Sequence, residues 1–130
     1  MSNIPLFHYR AKVIRVIDGD TIDVELDLGF DISLKERIRF YGVNTPESRT
    51  KDLEEKARGI AAKNFVGRWL LEECGHQCII ETRLDKKGKF GRILGRVLDE
   101  EGNCLNDLLL AEGHAIEYFG GKRSKKVETE

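Results

Sequence analysis

The chain has 130 residues, of which 40% are apolar, enough for one ordinary domain with a single core. Charged residues make up 35%, yet the net charge is only −1, which excludes a globally basic nucleic-acid coat. Any phosphate binding must therefore come from a local patch, and the uneven layout allows one. Bases crowd at Lys35, Arg37 and Arg39 and again at Lys86, Lys87, Lys89 and Arg92, while acids crowd at Asp52, Glu54, Glu55 and at Asp99, Glu100, Glu101.

Three cysteines are an odd number, and the start MSNIPLFHYR has no early positive charge followed by an apolar core. No run approaches the roughly 18 apolar residues of a membrane span. The expectation is a reduced, cytoplasmic protein that crosses no membrane and is monomeric.

In chain order, Tyr9–Ile17 is β-branched and alternating and is predicted as a strand. Asp18-Gly19-Asp20 is a turn signal. Thr21–Leu28 alternates again, with Ile22, Val24, Leu26 and Leu28 on one face, and Leu34–Val43 is a third strand with Ile38, Phe40 and Val43 inward. From Lys51 to Glu73 the period becomes helical, with Leu53, Ala57, Ile60, Ala61, Phe65 and Trp69 on one stripe. Ser48 or Thr50 can cap that helix, and Gly75 suits its end. Gln77–Thr82 and Arg92–Leu98 are strands, Leu105–Glu112 is a short helix ended by Gly113, and residues 121–130 form a polar tail beyond a single domain of residues 1–120. The fold class is α+β, mainly β. Five strands with a long helix after the third, and a short C-terminal helix, suggest a Greek-key barrel of the OB type. Periodicity counts the strands and leaves closure of the barrel to be seen.

Four segments carry chemistry: Val16-Ile17-Asp18-Gly19-Asp20-Thr21, Arg39, Val43-Asn44-Thr45-Pro46-Glu47, and Lys89-Phe90-Gly91-Arg92. Alone, each is weak: Asp-Gly-Asp is usually a turn, Thr-Pro-Glu a helix start, and a strand arginine a solvated residue. In order and spacing, from about Val13 to Tyr118, they resemble the staphylococcal-nuclease-like (thermonuclease) family. That family has a D-G-D-T turn after its first strand, an arginine eight residues before the glutamate of T-P-E, and a later [KR]-[YF]-G-R motif.

The resemblance implies a metal-dependent nuclease acting on DNA, RNA or both. Asp20, the Asn44 side chain and the Thr45 carbonyl would hold Ca²⁺, with Mg²⁺ or Mn²⁺ as alternatives. Asp18 would stand behind them, and Glu47 would position or deprotonate the water. Arg39 and Arg92 would stabilise the pentacoordinate phosphate from two sides, a task suited to a planar, always-charged fork. Lys89, Phe90, Tyr118 and Phe119 would contact the nucleic acid. Both arginines are expected to point into the cleft, so that removing either leaves folding nearly intact. Asn44 is a departure, because the family's best-known member has aspartate there. A second is the C-terminus, where better-known members continue into a third helix and Gly120-Gly121 here leads into a short polar tail. The competing reading is an OB-type module that binds nucleic acid without cleaving it; retention of Arg39, Glu47 and Arg92 together argues for the enzyme.

Cys74-Gly75-His76-Gln77-Cys78 has the look of a metal hook. A structural zinc site wants four ligands in two spaced pairs, and only Cys104 remains as a further candidate, so no zinc is expected.

Overall fold

The computed structural model describes residues 6–84 and 93–119. Its strands are β1 (His8–Asp18), β2 (Thr21–Asp27), β3 (Ser33–Phe40), β4 (Val43–Asn44), β5 (Gln77–Leu84), β6 (Ile93–Leu98) and β7 (Ile116–Glu117). The helices are α1 (Leu53–Gly67), continued by a π-helical segment over Arg68–Glu73, and α2 (Leu105–Ala111). Five strands close into a barrel in the order β1-β2-β3-β6-β5, and β4 and β7 form a separate two-stranded pair. All neighbours in the barrel are antiparallel except β3 and β6, which run parallel with Ile38 beside Ile93, Arg39 beside Leu94 and Phe40 beside Gly95.

Alternation builds the interior. Val24, Ile22, Ile38, Ile80 and Val97 have no exposed surface and Phe40 almost none, while their sequence neighbours face outward. The expected inward Leu28 is instead 37% exposed. It lies past the end of β2, where Gly29 turns the chain with φ +82°. Two register shifts in β1, between Val13 and Arg15 and between Val16 and Asp18, also interrupt simple alternation. Each adds a residue that increases local twist, and the second lies at the rim where β1 runs into the Asp-Gly-Asp turn. The predicted third strand is broken as well. It ends at Phe40, a turn at Tyr41-Gly42 with φ +79° at the glycine follows, and Val43–Asn44 pairs with Ile116–Glu117.

The long helix forms where predicted, and Phe65 and Trp69 of the expected stripe pack on the core, but Leu53, Ala57, Ile60 and Ala61 stay exposed. Gly59, Ala62 and Val66 are buried, whereas Leu53 is 78% and Ile60 41% exposed. The reason is close packing. A Cβ on Gly59 would lie 2.5 Å from the backbone carbonyl of Glu47, and one on Gly19 would lie 2.8 Å from the Ala62 Cβ. The helix thus meets the rim of the barrel through its smallest residues. Its cap is Asp52, whose carboxylate accepts from the Glu54 and Glu55 amides; Thr50 instead accepts from the Asp52 amide. In the π-helical segment the Cys74 amide donates to the Trp69 carbonyl, a wider turn that lets the adjacent Trp69 and Leu70 both face the core. Gly75, with φ +65°, ends it as expected.

Asn106, at the start of α2, is 2% exposed. Its amide donates to the Tyr41 and Gly95 carbonyls at 2.8 and 3.1 Å and accepts from the Val97 amide at 3.0 Å. It pins the turn after β3 to β6, and so fixes the start of the segment that carries Asn44 and Thr45. Cys78 and Cys104 are buried and Cys74 is half-buried, all three as free thiols. Burial pushes the Cys78 thiol up to about 12, so it behaves as an apolar core side chain.

Candidate active site

A cleft of about 500 Å³ opens at the barrel rim, lined by Asp18, Asp20, Arg39, Asn44, Thr45, Pro46, Glu47, Ser48, Arg49 and Tyr118. They come from several pieces of the fold. Asp18 ends β1, Asp20 sits in the turn before β2, Arg39 is on β3, and Asn44 ends β4. Thr45–Arg49 lead toward α1, and Tyr118 follows β7. Gly19 lets this assembly close, since a Cβ there would also come within 3.0 Å of the Thr45 hydroxyl.

Asp20 is nearly buried. One carboxylate oxygen accepts from the Thr21 hydroxyl at 3.0 Å, and the other from the Thr45 amide at 3.0 Å. Arg39 Nη1 stands 3.7 Å from the second oxygen. The Arg39 guanidinium donates to the Phe40 carbonyl at 3.1 Å, the Val43 carbonyl at 2.9 Å and Asn44 Oδ1 at 3.1 Å. It therefore grips the β3–β4 turn as well as facing the cleft. The Ser48 hydroxyl donates to the Asp18 carboxylate, which ties the loop before α1 to the end of β1.

Of the residues expected from the sequence, Asp18, Asp20, Arg39, Asn44, Thr45, Glu47 and Tyr118 share this one cleft. Phe119 does not line it; it is 68% exposed and packs edge-on against Tyr41, ring centroids 5.5 Å apart. Lys89, Phe90 and Arg92 lie outside the described residues. Arg49 was not singled out by sequence reasoning, and Ser48 only as a candidate helix cap. Their adjacency to Thr-Pro-Glu was the available signal, but a Ser-Arg pair before a helix has no pattern of its own.

The donor set at the cleft is all oxygen: a carboxylate, an amide carbonyl, a main-chain carbonyl, and further carboxylates at Asp18 and Glu47. That chemistry suits a hard divalent cation. Asp20 keeps acceptor capacity, because a carboxylate has about four lone-pair positions and the Thr21 and Thr45 donors use two. Among the described residues no three His, Cys, Asp or Glu side chains gather into a ready-made cage. An ion here would complete its shell with water and substrate oxygens.

Fold and cleft together define an OB-type barrel carrying an arginine and carboxylates from separate segments at one rim. Residues 37–130 match the sequence model of the family described as staphylococcal nuclease homologue, and the chain belongs to that family. It is 39% identical over 108 residues to the thermonuclease of Staphylococcus intermedius, covering 82% of this chain and 58% of that protein. Against the thermonuclease of Staphylococcus hyicus the identity is 35% over 109 residues, with 83% and 59% covered. Endonuclease YhcR of Bacillus subtilis is 31% identical over 117 residues, which are 85% of this chain but 9% of that protein. The chain thus spans somewhat under two thirds of the thermonucleases it matches.

Proposed function

We propose that this protein hydrolyses phosphodiester bonds of DNA, RNA or both with the help of a divalent cation. The observation that supports it best is the convergence of Asp20, Arg39 and Glu47, from three separate segments, on one polar cleft. Membership of a family whose relatives include named thermonucleases and an endonuclease supports it further.

In this reading Asp20, Asn44 Oδ1 and the Thr45 carbonyl hold the cation, Ca²⁺ or else Mg²⁺ or Mn²⁺, and Asp18 adds negative charge behind them. When bound, the ion would neutralise a nonbridging phosphate oxygen and ease ionisation of water. Glu47 orients the attacking water on the loop before α1 and accepts its proton. Arg39 uses its fork to hold the phosphate in line, and Arg92 meets the charge that builds toward the leaving group. Holding the phosphate still between fixed donors converts binding into rate, since misplacing the reacting atoms by about 1 Å costs roughly 10²-fold.

The test is to incubate the protein with plasmid, single-stranded DNA and RNA, adding Ca²⁺, Mg²⁺, Mn²⁺ or a chelator, and to resolve the products on a gel. Cleavage that needs a divalent cation is expected. Retained binding with no cleavage under any cation would favour a module that only binds nucleic acid.

Asn44 gives a sharper prediction. Its amide oxygen faces Arg39 in the cleft and offers a neutral ligand. Asn44→Asp adds an anionic one and is expected to tighten Ca²⁺ by roughly 10-fold, the scale on which ligand charge tunes such sites. Calorimetric titration reads this directly. Equal or weaker Ca²⁺ binding would mean that residue 44 serves Arg39 alone.

A further inference from the structure

We propose that Arg83, held over the ring of Tyr41, forms a stacking subsite for a nucleobase beside the phosphate cleft. The inference rests on the nucleic-acid reading above and adds two base-contacting residues to it.

The sheet register places the subsite. Leu94 on β6 is the partner both of Arg39 on β3 and of Arg83 on β5. The next row, Phe40, Gly95 and Thr82, is turned the other way: Phe40 is buried, and a Cβ on Gly95 would meet the core side chains of Ile80 and Ile38. Arg39, Leu94 and Arg83 therefore form one row on the outer face of the barrel. Strands lie about 4.8 Å apart, so the backbones at Arg39 and Arg83 are separated by roughly 10 Å. A strand whose phosphate is held at Arg39 brings its neighbouring nucleotide over Arg83.

The local contacts make the surface suitable. The Arg83 guanidinium carbon lies 4.6 Å from the Tyr41 ring centroid. Tyr41 is braced from the side by Phe119, whose ring also covers Gly42. Arg83 reaches Glu81 only at 3.5 Å, while Glu81 has a closer partner in Arg96 at 3.0 Å. The guanidinium is thus positioned by the ring more than by an ion pair, and its side chain remains 45% exposed. Bases of single strands stack on guanidinium planes and aromatic rings without regard to sequence, whereas bases in a duplex are already stacked and paired.

The experiment measures binding in chelator, so that cleavage does not intervene. A fluorescent single-stranded oligonucleotide is compared with an abasic strand of the same length by anisotropy. Arg83→Lys keeps the charge but loses the planar fork. It is expected to weaken binding of the base-bearing strand about 10-fold, on the scale of losing one stacked base, and to leave abasic binding unchanged. Tyr41→Leu, which removes the support, should do the same. Independently of any variant, a fluorescent aminopurine placed at successive positions in the strand should be quenched by the wild-type protein at one of them. Wild-type affinity in Arg83→Lys, an equal loss on both strands, or no quenching at any position would each overturn the subsite. Stacking without cleavage would leave the subsite standing and sink the nuclease reading; cleavage of duplex without any single-strand binding would do the reverse.

Discussion

Arg39→Ala is expected to lower turnover by about 10²-fold or more, the scale for losing one donor aimed at developing charge. It is also expected to reduce stability, by about 2 kcal/mol, because charged hydrogen bonds to two carbonyls and an amide oxygen disappear together. From the sequence alone the arginine reads as a side chain aimed wholly into the cleft, whose removal spares the fold. The structure gives it a second task, holding the turn between β3 and β4. Arg39→Lys separates the two. A lysine can reach a carbonyl but cannot fork, so it should recover part of the stability and little of the turnover. Steady-state cleavage and thermal melts on both variants check this. A folded Arg39→Ala protein with near-normal turnover would remove Arg39 from the phosphate.

Gly59→Ala is expected to be strongly damaging, since among the described glycines Gly59 leaves an added methyl group the least room. In an open helix position the change stabilises by up to about 1 kcal/mol. Here the new carbon would sit 2.5 Å from the carbonyl carbon and oxygen of Glu47 and 2.7 Å from the Ser48 amide nitrogen. Those atoms are backbone and cannot swing aside, so the loop or the helix must move. The expected result is a net loss of about 2 kcal/mol, on the scale of overpacking. Turnover should fall by at least about 10-fold, because the displaced loop carries Glu47. Gly67→Ala is the matched control. Gly67 has helical dihedrals and nothing within 4 Å of an added Cβ, so it should gain stability. If Gly59→Ala melts as high as Gly67→Ala and cleaves normally, the close approach of α1 to the loop is wrong.

The strands were legible because a half-buried sheet imposes a period of two, and Ile22, Val24, Ile38 and Phe40 obey it. The cleft was legible through spacing: Asp20, Arg39 and Glu47 lie in segments whose order and intervals are diagnostic only in combination. The helix face was legible only at its C-terminal end, at Phe65 and Trp69. Periodicity weighs bulky residues such as Leu53 and Ile60, whereas the contact is made by Gly59 and Ala62, whose importance lies in what they lack. The cap at Asp52 was hidden among several eligible side chains. The break at Tyr41-Gly42 was hidden because the apolar pattern runs through it to Val43, which is buried by a different pairing. The contact of Arg83 with Tyr41 joins residues far apart in sequence, and no local pattern announces it.

The parallel seam between β3 and β6 makes the cleft a late product of folding. The hairpins β1–β2, β2–β3 and β5–β6 join neighbours in the chain, but Ile38 must find Ile93 across the whole of α1 and β5. Contacts of such long range are made only after the cost of closing a large loop has been met. Arg39 lies in the middle of that seam. A nascent or proteolytically shortened chain that stops before β6 is therefore expected to carry the Asp-Gly-Asp and Thr-Pro-Glu segments and yet lack a positioned arginine. Pulsed hydrogen exchange would show it, with the Tyr41 amide, which donates to the Gly95 carbonyl, gaining protection after those of the β1–β2 hairpin; simultaneous protection would mean that the seam forms early. Until the last barrel strand is in place, the emerging chain would hold the pieces of the cleft without the cleft itself.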